Sequence, residues 1–87
     1  MTPLQKAKKK ARELGIEGEI YLSQRKNKRF KILLPDNQWI HFGSPKKNTF
    51  IDHGDKERRR LFHARWKNNP FYNNEESPLY YSQRILW

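Results

Sequence analysis

The fold is decided by residues 29–43, which read RFKILLPDNQWIHFG. Apolar and basic residues alternate through the first half of this stretch, which predicts a strand with one apolar face and one largely basic face. The segment Pro35-Asp36-Asn37-Gln38 is a turn signal, and WIHF (residues 39–42) predicts a following strand that ends at Gly43. With a further strand centred on Ile20-Tyr21-Leu22, residues 16–43 are expected to form a three-stranded antiparallel meander.

Helices are predicted on both sides of the meander. Thr2 and Gln5 have the spacing of a capping box, Pro3 suits a first helical position, and Gly15 ends the helix. The apolar stripe of this helix is narrow and half alanine, so we expect it to dock weakly or to stay mobile until a partner binds.

The carboxyl-terminal half predicts two more helices. Asp52 or Asp55 can cap a helix from about Lys56 to Lys67, and Ser77-Pro78 starts a last one that ends near Leu86. The fold class is therefore α+β, with a basic helix (1–15) followed by a single small domain (16–87). The apolar residues expected to form its core are Phe30, Ile32, Leu34, Ile40, Phe42, Leu61, Phe62 and Trp66, with one helix covering the sheet, and the terminal Ile85-Leu86-Trp87 is expected to dock into the core or a partner.

Charge is the strongest functional signal. The chain has 19 Lys and Arg against 9 Asp and Glu, a formal net charge of +10. Because concentrated like charge destabilises the folded state, a polyanionic partner is the natural reason to retain it. The clustered cations that we expect to contact nucleic acid or an acidic protein surface are Lys8, Lys9, Lys10, Arg12, Arg25, Lys26, Lys28, Arg29, Lys31, Lys46, Lys47, Arg58 and Arg59. Those of residues 25–29 are expected to project from a hairpin tip.

Composition argues against several other classes of protein. The absence of cysteine excludes a disulfide framework and a Cys-based zinc site. No apolar run approaches the roughly 18 residues that span a bilayer, and the lysine-rich start does not resemble a signal peptide. We expect no cofactor, no small-molecule substrate and no membrane partner.

One acidic cluster could instead support catalysis. Asp52, His53, Asp55 and Glu57 lie within six positions and could hold a divalent metal for phosphodiester cleavage. The same residues suit a helix start, where Asp caps and Glu complements the helix dipole. We therefore expect a protein that is not an enzyme, with a small metal-dependent nuclease as the alternative.

Aromatic side chains among basic ones could stack nucleic-acid bases. The candidates are Tyr21, Trp39, Phe71, Tyr72, Tyr80 and Tyr81. In a short chain with few aliphatic residues, most rings must serve the core. Tyr72 and Tyr80 are the favoured pair, because they adjoin polar loops or a helix start.

A set of short motifs resembles small uncharacterised proteins of large double-stranded DNA viruses and tailed bacteriophages. The resemblance covers residues 15–87 and rests on Ser23, Lys26-Asn27-Lys28-Arg29-Phe30, Ile40-His41-Phe42-Gly43, Asp52-His53, Asp55, Arg59-Arg60, Arg65 and Leu86-Trp87. It implies a viral, virion-associated protein, found in the virion or in the host cytoplasm or nucleus, and it transfers no catalytic residues. Two functions stay open: contact with DNA or RNA backbones, or cementing of larger proteins as a minor capsid or portal component.

Overall fold

The computed structural model describes residues 1–46 and 48–87. In chain order its elements are α1 (Pro3–Glu13), β1 (Glu19–Leu22), β2 (Phe30–Leu33), β3 (Trp39–Phe42), α2 (Phe50–His53), α3 (Lys56–Trp66) and α4 (Pro78–Tyr81), which continues into a π-helical segment (Ser82–Leu86). We call α4 and that segment together the C-terminal helix. The strands form one antiparallel sheet in the order β1-β2-β3. The predicted α+β fold class is confirmed, and the single-turn helix α2 lies where no helix was predicted.

Local capping explains where the helices begin. Thr2 and Gln5 form a reciprocal capping box at the start of α1. The side chain of Asp55 accepts hydrogen bonds from two backbone N–H groups of the first turn of α3, and Ser77 accepts one at the start of α4. The predicted caps at Thr2, Asp55 and Ser77 are confirmed.

The core lies on one face of the sheet. Ile20, Ile32 and Ile40 pair across the three strands, and Phe30 pairs with Phe42; all five side chains are buried. Because side chains alternate between the faces of a strand, these residues share the inner face of the sheet. The residues that cover this face are Ala7 and Ala11 of α1 and Tyr81, Ile85 and Leu86 of the C-terminal helix.

The prediction that Leu61, Phe62 and Trp66 belong to this core is wrong. Leu61 is 51 % exposed, while Phe62 and Trp66 are half-buried. The ring of Phe62 stacks on Trp87 at 4.4 Å between centroids, so α3 packs on the end of the C-terminal helix rather than on the sheet. Leu34, also predicted for the core, is half-buried at its margin.

Helix α1 is an integral part of the packing. Ala7 is fully buried and Ala11 is 4 % exposed, and the helix contacts both β1 and the C-terminal helix. Small alanine side chains let its backbone approach the core closely, so a narrow stripe suffices for docking. The helix therefore packs on the core, and the strength of its docking stays a prediction. Among the described residues, no helix combines the length and the apolar character needed to cross a membrane.

Candidate nucleic-acid interface

The second face of the sheet is turned away from the core. We call it the outer sheet face and define it by Tyr21, Lys31, Leu33, Trp39 and His41. Tyr21, Lys31 and His41 pair across the three strands. Glu19, Leu33 and Trp39 pair in the same way, so the exposed carboxylate of Glu19 lies at the β1 edge of this face. No helix of the core covers this face, because α1 and the C-terminal helix both pack on the other one.

Two large aromatic rings meet on the outer sheet face. Tyr21 of β1 and Trp39 of β3 are 43 % and 44 % exposed. Their ring centroids lie 5.7 Å apart with the planes inclined at 60°. Because β1 and β3 are separated by β2, the two side chains must lean towards each other over the central strand. The result is an exposed aromatic surface in the middle of the sheet.

Cationic side chains surround this aromatic pair. Lys31 Nζ lies 4.6 Å from the centre of the Trp39 ring, and Lys8 Nζ of α1 lies 5.9 Å from that of Tyr21. Arg25 and Lys28 of the β1–β2 turn are near enough to influence the ionisation of His41. We call Lys8, Arg25, Lys28 and Lys31 the sheet-face cations. Among residues 1–46 and 48–87 the only ion pairs are Arg29–Asp52 and Arg60–Glu57, so within that part of the chain no carboxylate pairs with them.

His41 is buried on this face, close to several of the cations. Burial lowers the pKa of its imidazole below the ordinary value of 6.5, and the positive charges of Arg25, Lys31 and Lys28 lower it further. The Ser23 hydroxyl lies 2.7 Å from His41 Nδ1 and also accepts a hydrogen bond from the backbone N–H of Arg25. At neutral pH the ring is therefore uncharged, and it holds the β1–β2 turn against β3.

The expectation that Arg29 projects from the hairpin tip is wrong. Arg29 is only 8 % exposed, and its guanidinium donates two hydrogen bonds of 2.7 Å to the carboxylate of Asp52. A buried cation retains its charge only when it is paired, and α2 supplies the partner here. Arg29 thus serves the fold through its pairing with Asp52.

The remaining predicted contact residues are distributed over several surfaces. Arg12 lines a cavity with Lys8 beside β1, whereas Lys9 and Lys10 line a groove with Phe50 and Ile51 on the α2 side of α1. The other five lie apart from the outer sheet face or outside the described residues. Lys26 is exposed in the β1–β2 turn, Lys46 is exposed after β3, Arg58 is exposed on α3, and the Arg59 guanidinium lies 4.4 Å from the Phe50 ring; Lys47 lies outside the described residues.

The favoured stacking residues are poor candidates. The Tyr72 hydroxyl is hydrogen-bonded to His63 Nδ1 and the residue is half-buried. Tyr80 is half-buried too, with its ring 5.0 Å from that of Tyr81 and the Arg84 guanidinium 4.6 Å from its centre. The expectation that these two rings are the solvent-facing ones is wrong, because loop proximity does not determine which ring is exposed. The alternation of side chains along the strands, which places Tyr21, Lys31 and Trp39 on one face, could have identified the exposed aromatic pair.

The acidic cluster of residues 52–57 is occupied by structural contacts. Asp52 pairs with Arg29, and Asp55 caps α3. Glu57 pairs with Arg60 one turn along that helix, and His53 Nδ1 accepts the backbone N–H of Asp55. A carboxylate committed to a guanidinium is a poor metal ligand, which counts against a nuclease site at Asp52. Within the described part of the chain, no group of three His, Asp or Glu is arranged to hold a metal ion.

Acidic side chains concentrate at the other end of the sheet. A cavity of about 460 Å³ beside the β2–β3 turn is lined by four acidic residues, Glu17, Asp36, Glu75 and Glu76, and by the cation Arg84, among other residues. In a meander the β1–β2 and β2–β3 turns lie at opposite ends of the sheet. The molecule is therefore electrostatically polar along its strands, with the cationic β1–β2 turn at one end and this acidic cavity at the other.

The chain shows no significant match to a curated protein or to a solved structure. Residues 18–66 match a family model, and this span contains the whole sheet, α2 and α3. All five residues of the outer sheet face lie inside it, whereas Lys8 and the C-terminal helix lie outside. Since the match covers more than half of the chain, the protein belongs to DUF5754, a family of unknown function.

Proposed function

We propose that this protein is a non-enzymatic, strongly basic protein that binds nucleic acid through the phosphate backbone. Its contact surface is the outer sheet face together with the sheet-face cations Lys8, Arg25, Lys28 and Lys31. One observation carries the proposal: these cations gather around an exposed face, and no carboxylate of the described residues pairs with them. Unpaired cations on a shared face provide the electrostatic footprint of a phosphate-binding protein.

The environment of His41 is consistent with the same surface. Burial is the main cause of its lowered pKa, and the charges of Arg25, Lys31 and Lys28 lower it further. A positive field that disfavours the protonated imidazole also attracts anions. Phosphate contacts position a protein on nucleic acid without reading its sequence. The proposed binding is therefore tolerant of sequence, and the resemblance to viral proteins suggests packaged genome as the biological partner.

The experiment is the salt dependence of binding to duplex DNA and to single strands, followed by fluorescence anisotropy. If the four sheet-face cations each contact a phosphate, the log–log slope should be about −4 on a duplex and about −3 on a single strand. Replacing Lys31 and Lys8 by Gln should make the slope shallower by about 2 on a duplex. Lys67→Gln, at the end of α3, is the matched control and should leave it unchanged. A slope near zero for the unaltered protein would exclude phosphate contacts.

A second candidate function is attachment to an acidic protein surface such as a capsid or portal. It is favoured by a groove of about 300 Å³ on α3, whose lining combines Leu61, Phe62, Trp66 and Trp87 with the guanidinium groups of Arg58 and Arg65. An apolar floor between two cations suits an acidic partner with an apolar anchor. This function predicts that the protein stays with particles after their genome has been digested, and that Leu61→Asp releases it.

A further inference from the structure

We propose that the outer sheet face selects single-stranded nucleic acid, with bases stacked on Tyr21 and Trp39 and phosphates held by the sheet-face cations. This inference rests on the proposed function and specifies its substrate class. Any nucleic-acid single strand offers the same chemistry, so DNA and RNA strands are distinguished in the test below.

The exposed rings are the first argument. On the inner face Phe30, Ile32 and Phe42 are fully buried, whereas Tyr21 and Trp39 each leave more than two-fifths of their surface in water. The 60° inclination between the rings prevents them from covering each other face to face. Ring surface therefore stays open to a planar ligand, and stacking on it tolerates any base because every base has a π face.

The arrangement of charge is the second argument. A lysine ammonium lies over each ring, Lys31 over Trp39 and Lys8 over Tyr21, so a base stacks on the part of the ring that these flexible side chains leave open or vacate. These lysines come from the central strand and from α1, so they flank the aromatic pair on two sides. A nucleotide whose base stacks on a ring carries a phosphate that such a lysine can neutralise. Alternating stacking and phosphate contacts are the usual means of holding a single strand without reading its sequence.

The third argument concerns what a duplex can offer. In a duplex the base faces are stacked on one another, so only groove edges and phosphates are accessible to a protein. The cations alone would bind duplex and single strands by charge. Only a single strand can also place bases against Tyr21 and Trp39. The aromatic pair should therefore contribute to single-strand affinity and not to duplex affinity.

A purely structural role for the pair is the competing explanation, because aromatic residues that meet across strands stabilise sheets. The test therefore compares Tyr21→Leu and Trp39→Leu, which keep an apolar side chain over β2, with Tyr21→Phe, which keeps the stacking ring. Phe71→Ala is the matched control, since Phe71 is a 56 % exposed aromatic residue outside the sheet. Thermal melting of each variant verifies that it is folded.

Binding is measured by anisotropy with labelled oligothymidine, oligouridine and a duplex of the same length at one salt concentration. We expect each Leu variant to bind single strands about 5-fold to 150-fold more weakly, with its affinity for the duplex unchanged. The Tyr21→Phe and Phe71→Ala variants should bind all three probes with nearly the original affinity. Loss with one single strand alone would support the proposal and identify DNA or RNA as the partner. Folded Leu variants with unchanged single-strand affinity, or with an equal loss on the duplex, would overturn it and leave the proposed function standing. If the original protein binds none of the three probes, the proposed function itself fails.

Discussion

Arg29 and Asp52 face each other in a bidentate ion pair that joins the sheet to α2. Both nitrogen–oxygen distances are 2.7 Å, and the two side chains are 7 % and 12 % exposed. Asp52 Oδ2 also accepts the backbone N–H and the hydroxyl of Thr49. Because Arg29 directly precedes β2 and Asp52 lies within α2, this pair fixes the chain that follows β3 against the start of the central strand.

Asp52→Asn should strongly destabilise the protein. The substitution keeps the shape of the side chain but leaves the buried Arg29 guanidinium without a counter-charge, which typically costs about 3–5 kcal/mol. Urea unfolding measures the loss. Glu57→Gln is the matched control, since it removes the fully exposed pair with Arg60 and should hardly change the midpoint. If the uncompensated charge is the cause, Arg29→Met combined with Asp52→Leu should be more stable than Asp52→Asn.

Acid should destabilise the fold in two separate pH ranges. The pKa of His41 is lowered by burial and by neighbouring cations, so protonation favours the unfolded chain and stability declines as pH falls below about 6.5. The pKa of Asp52 is held far below its ordinary 3.8 by the hydrogen bonds from Arg29 and Thr49. Its contribution is complete well above that value and declines only as pH falls below about 4.

The measurement is the free energy of unfolding from about pH 8 to about pH 3. His41→Asn should remove the upper decline and Asp52→Asn the lower one. If one of these variants removes both declines in stability, the assignment of the upper decline to His41 and the lower one to Asp52 is contradicted.

The sequence sufficed for features that depend on neighbouring residues. Alternation around Lys31 predicted β2, the turn at residues 35–38 predicted its connection to β3, and Thr2 and Ser77 marked helix starts. Such signals are local, since each depends on side chains within one turn of helix or one pair of strands. The candidate site could be predicted only in part. The alternation of side chains along a strand predicts which residues share a face of the sheet, but it does not predict whether that face is exposed to solvent.

The features that could not be predicted depend on distant contacts. Leu61, Phe62 and Trp66 offered a plausible apolar face, but the sheet is covered by Ile85 and Leu86 instead. No local pattern tells that Arg29 is paired with a carboxylate 23 positions away. Several motif residues that suggested the viral resemblance also pair within the fold, for example Ser23 with His41. Those motif residues therefore stabilise the fold, and their shared pattern does not by itself identify a binding site.

Gly43→Ala should be destabilising for two reasons that can be separated. Gly43 has φ +86°, and an added Cβ would lie 2.8 Å from Leu86 Cδ1 in the buried core. Gly15 has a similar φ of +69° but open space around it. Gly15→Ala should therefore cost only the left-handed conformation, roughly 1–2 kcal/mol, and Gly43→Ala more. Equal changes in the free energy of unfolding would mean that Leu86 moves aside freely.

Phe30→Ala should destabilise the domain by about 3–5 kcal/mol or unfold it. Phe30 is fully buried and its ring lies 5.9 Å from that of Phe42, so its removal leaves a cavity in the core. Leu61→Ala is the informative comparison, because Leu61 is half exposed on α3 and should cost much less. Urea unfolding of both variants checks the revised core, and a larger loss for Leu61→Ala would contradict it.

Neutralising Lys26 and Lys28 together should weaken binding while leaving stability nearly unchanged. Both lie in the β1–β2 turn at the cationic end of the sheet, and neither is ion-paired with a described residue. We expect the double Gln variant to stay within about 0.5 kcal/mol of the original per site. Its affinity should fall at every sequence tested, with a duplex salt slope shallower by about 1, because Lys28 is a sheet-face cation and Lys26 is not. Lys9→Gln with Lys10→Gln is the matched control, since those lysines border the α2 groove. Thermal melting and fluorescence anisotropy are measured on the original protein and on both variants. If the Lys26/Lys28 variant binds normally and the Lys9/Lys10 variant does not, the β1–β2 turn is a solvated loop. The phosphate contacts then lie on the α2 side of α1.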